Sequence, residues 1–188
     1  MTESSTPLPD DGTWHHGLIA RYWHEFNRPE PAEVAWYRAA VDRFGQPVLD
    51  LACGTARLLI PLARDGVEVD GVDISDDMLR WARRSADQAG IAARLERQAM
   101  HELDLARRYR TIYCCDSFGI GGDRENDLEA LRRVHRHLEP GGAFVFTQSL
   151  LYDDDDPERF ARWLPGRQPR DRRPWLDDQE RHRATDGD

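Results

Sequence analysis

A chain of 188 residues with 39% apolar and 32% charged side chains has the size of one domain and enough apolar content for one core. Its net charge of −9 argues against a general nucleic-acid or anionic-membrane binder, since both attract basic surfaces. The first twelve residues lack the apolar core of a secretory signal, and no apolar run reaches the roughly 18 residues needed to span a bilayer.

Residues 1–13, rich in Pro, Ser, Thr and Asp, are expected to be disordered. Residues 14–26 predict a helix with Leu18, Ile19, Tyr22, Trp23 and Phe26 on one apolar face, broken by Asn27-Arg28-Pro29-Glu30-Pro31. A second helix is predicted over 32–44, stopped by Gly45. Pro47 to Ala52 reads as a fully buried strand and Thr55 to Asp65 as its helix, with Pro61 interrupting one backbone bond. Val67 to Asp73 predicts a second strand. Ser75 is a good N-cap for a helix ending at Gly90, and Asp76 and Asp77 complement its dipole. Residues 92–99 predict a third strand and Thr111 to Cys115 a fourth. A helix over 124–138 is expected to turn Leu128, Leu131, Val134 and Leu138 inward, and Pro140-Gly141-Gly142 to lead into a fifth strand, Ala143 to Ser149. Alternating strands and helices imply an α/β, doubly wound, mostly parallel sheet with ligands beyond the carboxyl ends of its strands.

The first strand–helix turn, Asp50-Leu51-Ala52-Cys53-Gly54-Thr55-Ala56, carries one glycine where a dinucleotide-binding turn carries three. That crowding disfavours a pyrophosphate, and Asp50 would repel one while welcoming an ammonium or sulfonium. Asp73, 23 positions after Asp50 at the end of the second strand, is placed to hold a ribose diol. The expected ligand is a nucleoside with a cationic arm. Cys53, Cys114 and Cys115 have no metal-ligand spacing, and Asp153 to Asp156 read as a solvated loop, so no metal is expected. The cysteine usage fits a reducing cytoplasm.

These motifs together resemble those of class I S-adenosylmethionine-dependent methyltransferases of the small-molecule type. The segment from Asp50 to Ala56 is similar to the family's first motif, Ser75 to Met78 to its helix start, Gln98-Ala99-Met100 to the segment framing adenine, Tyr113 to Gly119 to the fourth-strand motif, and Leu138-Glu139-Pro140-Gly141-Gly142 to the turn before strand five. Ala99 stands where the family usually has an acid. The resemblance covers about residues 14–149 and implies a Rossmann-like methyltransferase fold binding S-adenosylmethionine. It implies that Asp50, Ala52, Cys53 and Gly54 line the turn, Asp73 holds the ribose, Ile74 packs on the adenine and Met100 frames it, with Met78 of the helix start a further cofactor-binding residue. Cys115 and Asp116 would face the methionine arm, under Tyr22 on the N-terminal helix.

The implied reaction moves a methyl group to an oxygen or nitrogen of a small metabolite, without nucleic acid or membrane partners. Methyl transfer needs a general base only for some acceptors. The candidate imidazoles are His24 and His101; each reads more readily as an ordinary hydrogen-bonded or solvent-facing histidine than as a base. The aromatic set Tyr22, Trp23, Phe26, Trp36 and Tyr37 reads as core more readily than as a substrate box.

Residues 150–188, rich in Arg, Asp and Pro, show no strand pair, so the sheet is expected to lack the family's C-terminal hairpin. Trp163-Leu164-Pro165-Gly166 and Pro174-Trp175-Leu176 are the short apolar islands there. Strand five would then be an exposed edge, covered by a second copy or a partner, unless the chain is a truncated form. A non-catalytic S-adenosylmethionine-binding protein or a truncated fragment without turnover is the alternative reading.

Overall fold

The computed structural model describes residues 15–119 and 124–147. The sequence expectations for residues 1–14, for Ser149 and for the segments beyond it lie outside the described residues. Chain order is α1 (Gly17–Phe26), α2 (Pro31–Phe44), β1 (Val48–Leu51), α3 (Leu59–Arg64), β2 (Val69–Asp73), α4 (Asp76–Ala89), β3 (Leu95–Arg97), a 3-10 turn (Met100–Glu102), β4 (Tyr109–Cys115), α5 (Arg124–His137) and β5 (Leu138–Thr147).

The strands form one sheet in the order β3-β2-β1-β4-β5, and every neighbouring pair is parallel. Parallel strands need crossovers that cover both faces, which is why β1 is apolar on both sides apart from Asp50. On one face Val48 joins Val69, Tyr113, Tyr37, Leu59 and Leu62. On the other, Leu49 and Leu51 pack with Val72, Leu103, Ile112, Cys114 and Val134. After β1 the chain winds outward through β2 to β3, then returns to β1's other side for β4 and β5. The order therefore reverses between β1 and β4, and in sheets of this topology the ligand crevice is the one outside the carboxyl ends at that reversal.

Four elements depart from expectation. The helix after β1 begins at Leu59 rather than Thr55. Left-handed backbone at Ala52 (φ 61), Gly54 (φ 54) and Ala56 (φ 65) breaks the helical run before it. α1 buries Ala20 and leaves Leu18 (80%), Tyr22 (58%) and Phe26 (65%) exposed, so Tyr22 and Phe26 are not core. That face turns outward because α1 is fixed to α4 through the opposite one, where His24 stacks on Trp81 at 4.4 Å. α5 buries Ala130, Val134 and His137, while Leu128 and Leu131 are exposed. His137 is held inside by both ring nitrogens, Nδ1 with Arg133 O at 2.7 Å and Nε2 accepting from Leu105 N–H at 2.9 Å.

β5 begins at Leu138, not Ala143. Pro140-Gly141-Gly142 is a bulge within the strand: Leu138 pairs with Tyr109, and Ala143 already with Thr111. Gly141 takes φ 76, and a Cβ on Gly142 would lie 2.8 Å from Arg110 O, so both glycines are required there. Among the described residues β5 is an edge strand. No helix among them is long and apolar enough to cross a membrane, and no cluster of His, Cys, Asp and Glu there is arranged for a metal.

Candidate functional site

Three segments meet at the β1–β4 crevice. The first is the turn after β1, tied down by Cys53 N–H to Val72 O and Ala56 N–H to Cys53 O, both 2.9 Å. Alanine in a left-handed conformation is strained by about 1–2 kcal/mol relative to its ordinary backbone. A glycine at 52 relieves that strain against about 0.4–1 kcal/mol of added unfolded-state entropy. Ala52→Gly is therefore expected to leave the urea midpoint at or above wild type, whereas Ala82→Gly within α4 costs about 1 kcal/mol. Equal losses from the two would contradict a strained turn.

The second segment follows β2. Asp73 Oδ2 accepts the Gly54 N–H and Oδ1 the Ser75 N–H, each at 2.8 Å. Burial pushes the Asp73 carboxyl above the usual range, against the N–H groups of Ser75, Gly54 and Ile74 and the nearby His16, which pull it down. Each oxygen keeps a further lone pair for a hydroxyl. A Cβ built on Gly54 would meet no atom within 4 Å, so open space lies over the turn against this carboxylate. A diol fits this arrangement. Ser75 also accepts from Met78 N–H as the N-cap of α4, and its hydroxyl donates to His15 O at 2.5 Å. With Gly17 N–H donating to Asp77, this brings the start of α1 to the end of β2.

The third segment follows β4. Asp116 has φ 49, and its N–H is shared between Thr147 O at 3.1 Å and Thr147 Oγ1 at 3.2 Å. The Tyr37 hydroxyl meets Thr147 Oγ1 at 2.9 Å. Cys115 Sγ accepts from Arg57 Nη2 at 3.1 Å and lies 3.4 Å from Glu33 Oε1. Arg57 forks onto Glu33 with bonds of 2.5 and 2.7 Å, and both side chains are largely buried.

Beneath these segments lies Asp50, paired in register with Tyr113. Burial pushes its carboxyl up to about 7; the Tyr113 hydroxyl and Arg57 oppose the shift and Asp73 adds to it. The Tyr113 hydroxyl is fully buried and completes no hydrogen bond of ordinary geometry among the described residues. The thiols are poor nucleophiles. Burial pushes Cys115 up to about 12 despite Arg57, and raises Cys53 and Cys114 as well.

The fold thus assembles Asp50, Ala52, Cys53, Gly54, Asp73, Ile74, Cys115 and Asp116 around the ends of β1, β2 and β4. Met100 lies half-buried in the 3-10 turn beyond β3. Met78 is 2% exposed and packed inside α4. Tyr22 stands on the exposed face of α1, its ring 4.8 Å from Phe26. Neither candidate base has a hydrogen bond among the described residues: His24 lies flat on Trp81, lowered by burial and by Arg28 and Arg84, and His101 sits on the 3-10 turn. Sequence reasoning missed Glu33, Tyr37, Arg57 and Thr147 as parts of the site. The usable signal was Arg57 directly after the turn, and Glu33 and Tyr37 four residues apart on one helix face.

Comparison with known proteins gives a consistent result. A family profile described as a methyltransferase domain matches residues 48–142, just over half of the chain. A ubiquinone biosynthesis O-methyltransferase from Pectobacterium carotovorum subsp. carotovorum (strain PC1) is 27% identical over 156 residues, covering 77% of this chain and 64% of that protein. Among solved structures, the sugar N-methyltransferase KedS8 from Streptoalloteichus sp ATCC 53650 superposes with a TM-score of 0.62 at 25% identity, over 81% of this chain and 63% of that one. The glycopeptide N-methyltransferase MtfA, complexed with S-adenosyl-L-methionine, shares the fold, with a TM-score of 0.60 at 23% identity over 69% and 59% of the two chains. The chain spans about half the length of the curated relatives it matches.

Proposed function

The chain belongs to the methyltransferase-domain family, and from that membership we propose that it binds S-adenosylmethionine at the β1–β4 crevice and serves methyl transfer to an oxygen or nitrogen of a small metabolite. The observation that carries this reading is the Asp73 carboxylate, bracketed by the N–H groups of Gly54 and Ser75 with lone pairs to spare for the ribose hydroxyls. The open space over Gly54 gives the nucleoside room at the turn. Ile74 and Met100 flank the adenine side, and Cys115 and Asp116 face the methionine arm. When bound, the cofactor supplies a methyl group already activated by its sulfonium. The chain's own part is to fix the acceptor in line and keep water out.

Asp50 makes binding pH-dependent. Its carboxyl titrates near 7, and only the ionised form attracts a cationic arm. Affinity for S-adenosylmethionine is expected to rise as pH increases through about 7 and to level off above it, and Asp50→Asn flattens the profile. Stability runs the other way. A folded-state value raised above the unfolded one gives stability that is full below the unfolded value, near 4, and is lost as pH rises through the folded value. Asp50→Asn is therefore expected to gain thermal stability relative to wild type at pH 8 and none at pH 4. Calorimetry and melting curves at the two pH values check both statements, and an unchanged pH profile of binding in the variant removes Asp50 from the site.

The net charge of −9 supports a neutral or cationic acceptor over a nucleic acid. The free cysteines Cys53, Cys114 and Cys115 support a reducing, cytoplasmic setting. The β5 edge is proposed to meet a second copy or a partner chain, which sedimentation of the purified protein tests. Function itself is tested by incubating the chain with S-adenosylmethionine and a panel of small amines and hydroxyl compounds. Acceptor-dependent release of S-adenosylhomocysteine supports the proposal. Binding without release on any acceptor favours a non-catalytic binding protein.

A further inference from the structure

We propose that Glu33, on α2 and outside the strand–turn–helix motif, is the counter-ion that keeps the methionine-arm end of the crevice attractive to the positively charged sulfonium and so sets the preference for methylated over spent cofactor. This inference rests on the assignment of S-adenosylmethionine to the crevice.

Four observations carry it. Arg57 reaches the end of β4, its Nη2 at 3.1 Å from Cys115 Sγ, next to Asp116. Its field extends to Asp50 beneath the turn, where it favours the ionised carboxylate. Arg57 alone would thus set a fixed cation against a cationic ligand. Both of its hydrogen-bonding forks are taken by Glu33, at 2.5 and 2.7 Å, and Glu33 is 3% exposed, so water screens the pair little. Glu33 also sits 3.4 Å from the same Cys115 sulfur, so the compensating charge lies on the crevice side of α2 and not at a distant surface.

Glu33 therefore acts through Arg57, as a positioning residue, and touches no reacting atom. Once Arg57 and Glu33 cancel, the acids left at this end of the crevice are Asp116 and, in its ionised form, Asp50. S-adenosylmethionine and S-adenosylhomocysteine have the same nucleoside and the same amino-acid arm, and differ at the sulfur by one methyl and one positive charge. A uniform structural weakening lowers both affinities alike, whereas an exposed Arg57 charge weakens the sulfonium ligand selectively.

The test is calorimetric titration of the full chain with each ligand, in wild type, Glu33→Gln, Arg57→Gln and the double variant, with folding checked by circular dichroism. Glu33→Gln is expected to lower the S-adenosylmethionine to S-adenosylhomocysteine affinity ratio about tenfold, and Arg57→Gln to raise it. The double variant, which removes both charges, is expected to return to within about threefold of the wild-type ratio even where both absolute affinities fall. Single variants with the wild-type ratio, or a double variant whose ratio is as displaced as that of Glu33→Gln, overturn the proposal. A wild-type chain that binds neither ligand overturns the cofactor assignment beneath it.

Discussion

Asp73→Ala is expected to weaken S-adenosylmethionine binding by about 2–4 kcal/mol, the size of two charge-assisted hydrogen bonds to the ribose diol. That is a loss of roughly 30- to 1,000-fold in affinity. The same carboxylate also accepts the N–H groups of Gly54 and Ser75, so the substitution loosens the turn itself. Two controls separate the effects. Asp73→Asn keeps one acceptor oxygen and should lose less. A 2′,3′-dideoxy analogue of the cofactor has no diol to lose, so its affinity should hardly respond to Asp73→Ala. If the dideoxy analogue suffers as much as the natural cofactor, Asp73 shapes the turn and does not hold the ribose.

The second large effect concerns stability. Arg57→Met leaves Glu33 buried and uncompensated, and removing one partner of a buried pair costs about 3–5 kcal/mol. The loss should appear as a lower urea midpoint with an unchanged slope. Glu33→Leu combined with Arg57→Met replaces both charges with apolar groups and should recover a large part of it, so the double variant loses less than the two single losses added. A loss below about 1 kcal/mol for Arg57→Met would mean that water screens the pair as it does at a surface.

Much of the site is legible in the sequence because its chemistry is local in the chain. A buried strand ending in a small-residue turn, and a second ending in an acid before an N-cap serine, put Asp50, Gly54 and Asp73 at the strand ends whatever the rest of the fold does. The structure adds that Ala52 and Ala56, either side of Gly54, take the left-handed conformation, at φ 61 and φ 65. The brace behind the site is hidden from such a reading because it is long-range. Glu33 forms a capping box with Glu30, and nothing in the sequence says that Arg57 will bury it. Tyr37 reads as core, and its ring is core; its hydroxyl reaches Thr147, 110 positions away.

Misread elements have the same origin. On α5 periodicity favours Leu128 and Leu131, but helix rotation follows His137, whose two ring nitrogens find backbone partners. On α1 the apolar stripe suggests burial, yet the helix is anchored through His15, Gly17 and His24 and presents Tyr22 outward. At β5 the Pro-Gly-Gly sequence reads as a turn, and pairing with β4 absorbs it as a bulge.

The most direct test of the central claim is calorimetric titration of the wild-type chain with S-adenosylmethionine, and in parallel with a nicotinamide dinucleotide. One saturable site per chain for S-adenosylmethionine and no binding of the dinucleotide is the predicted result. Absence of binding to S-adenosylmethionine, or equal affinity for the dinucleotide, would contradict the account.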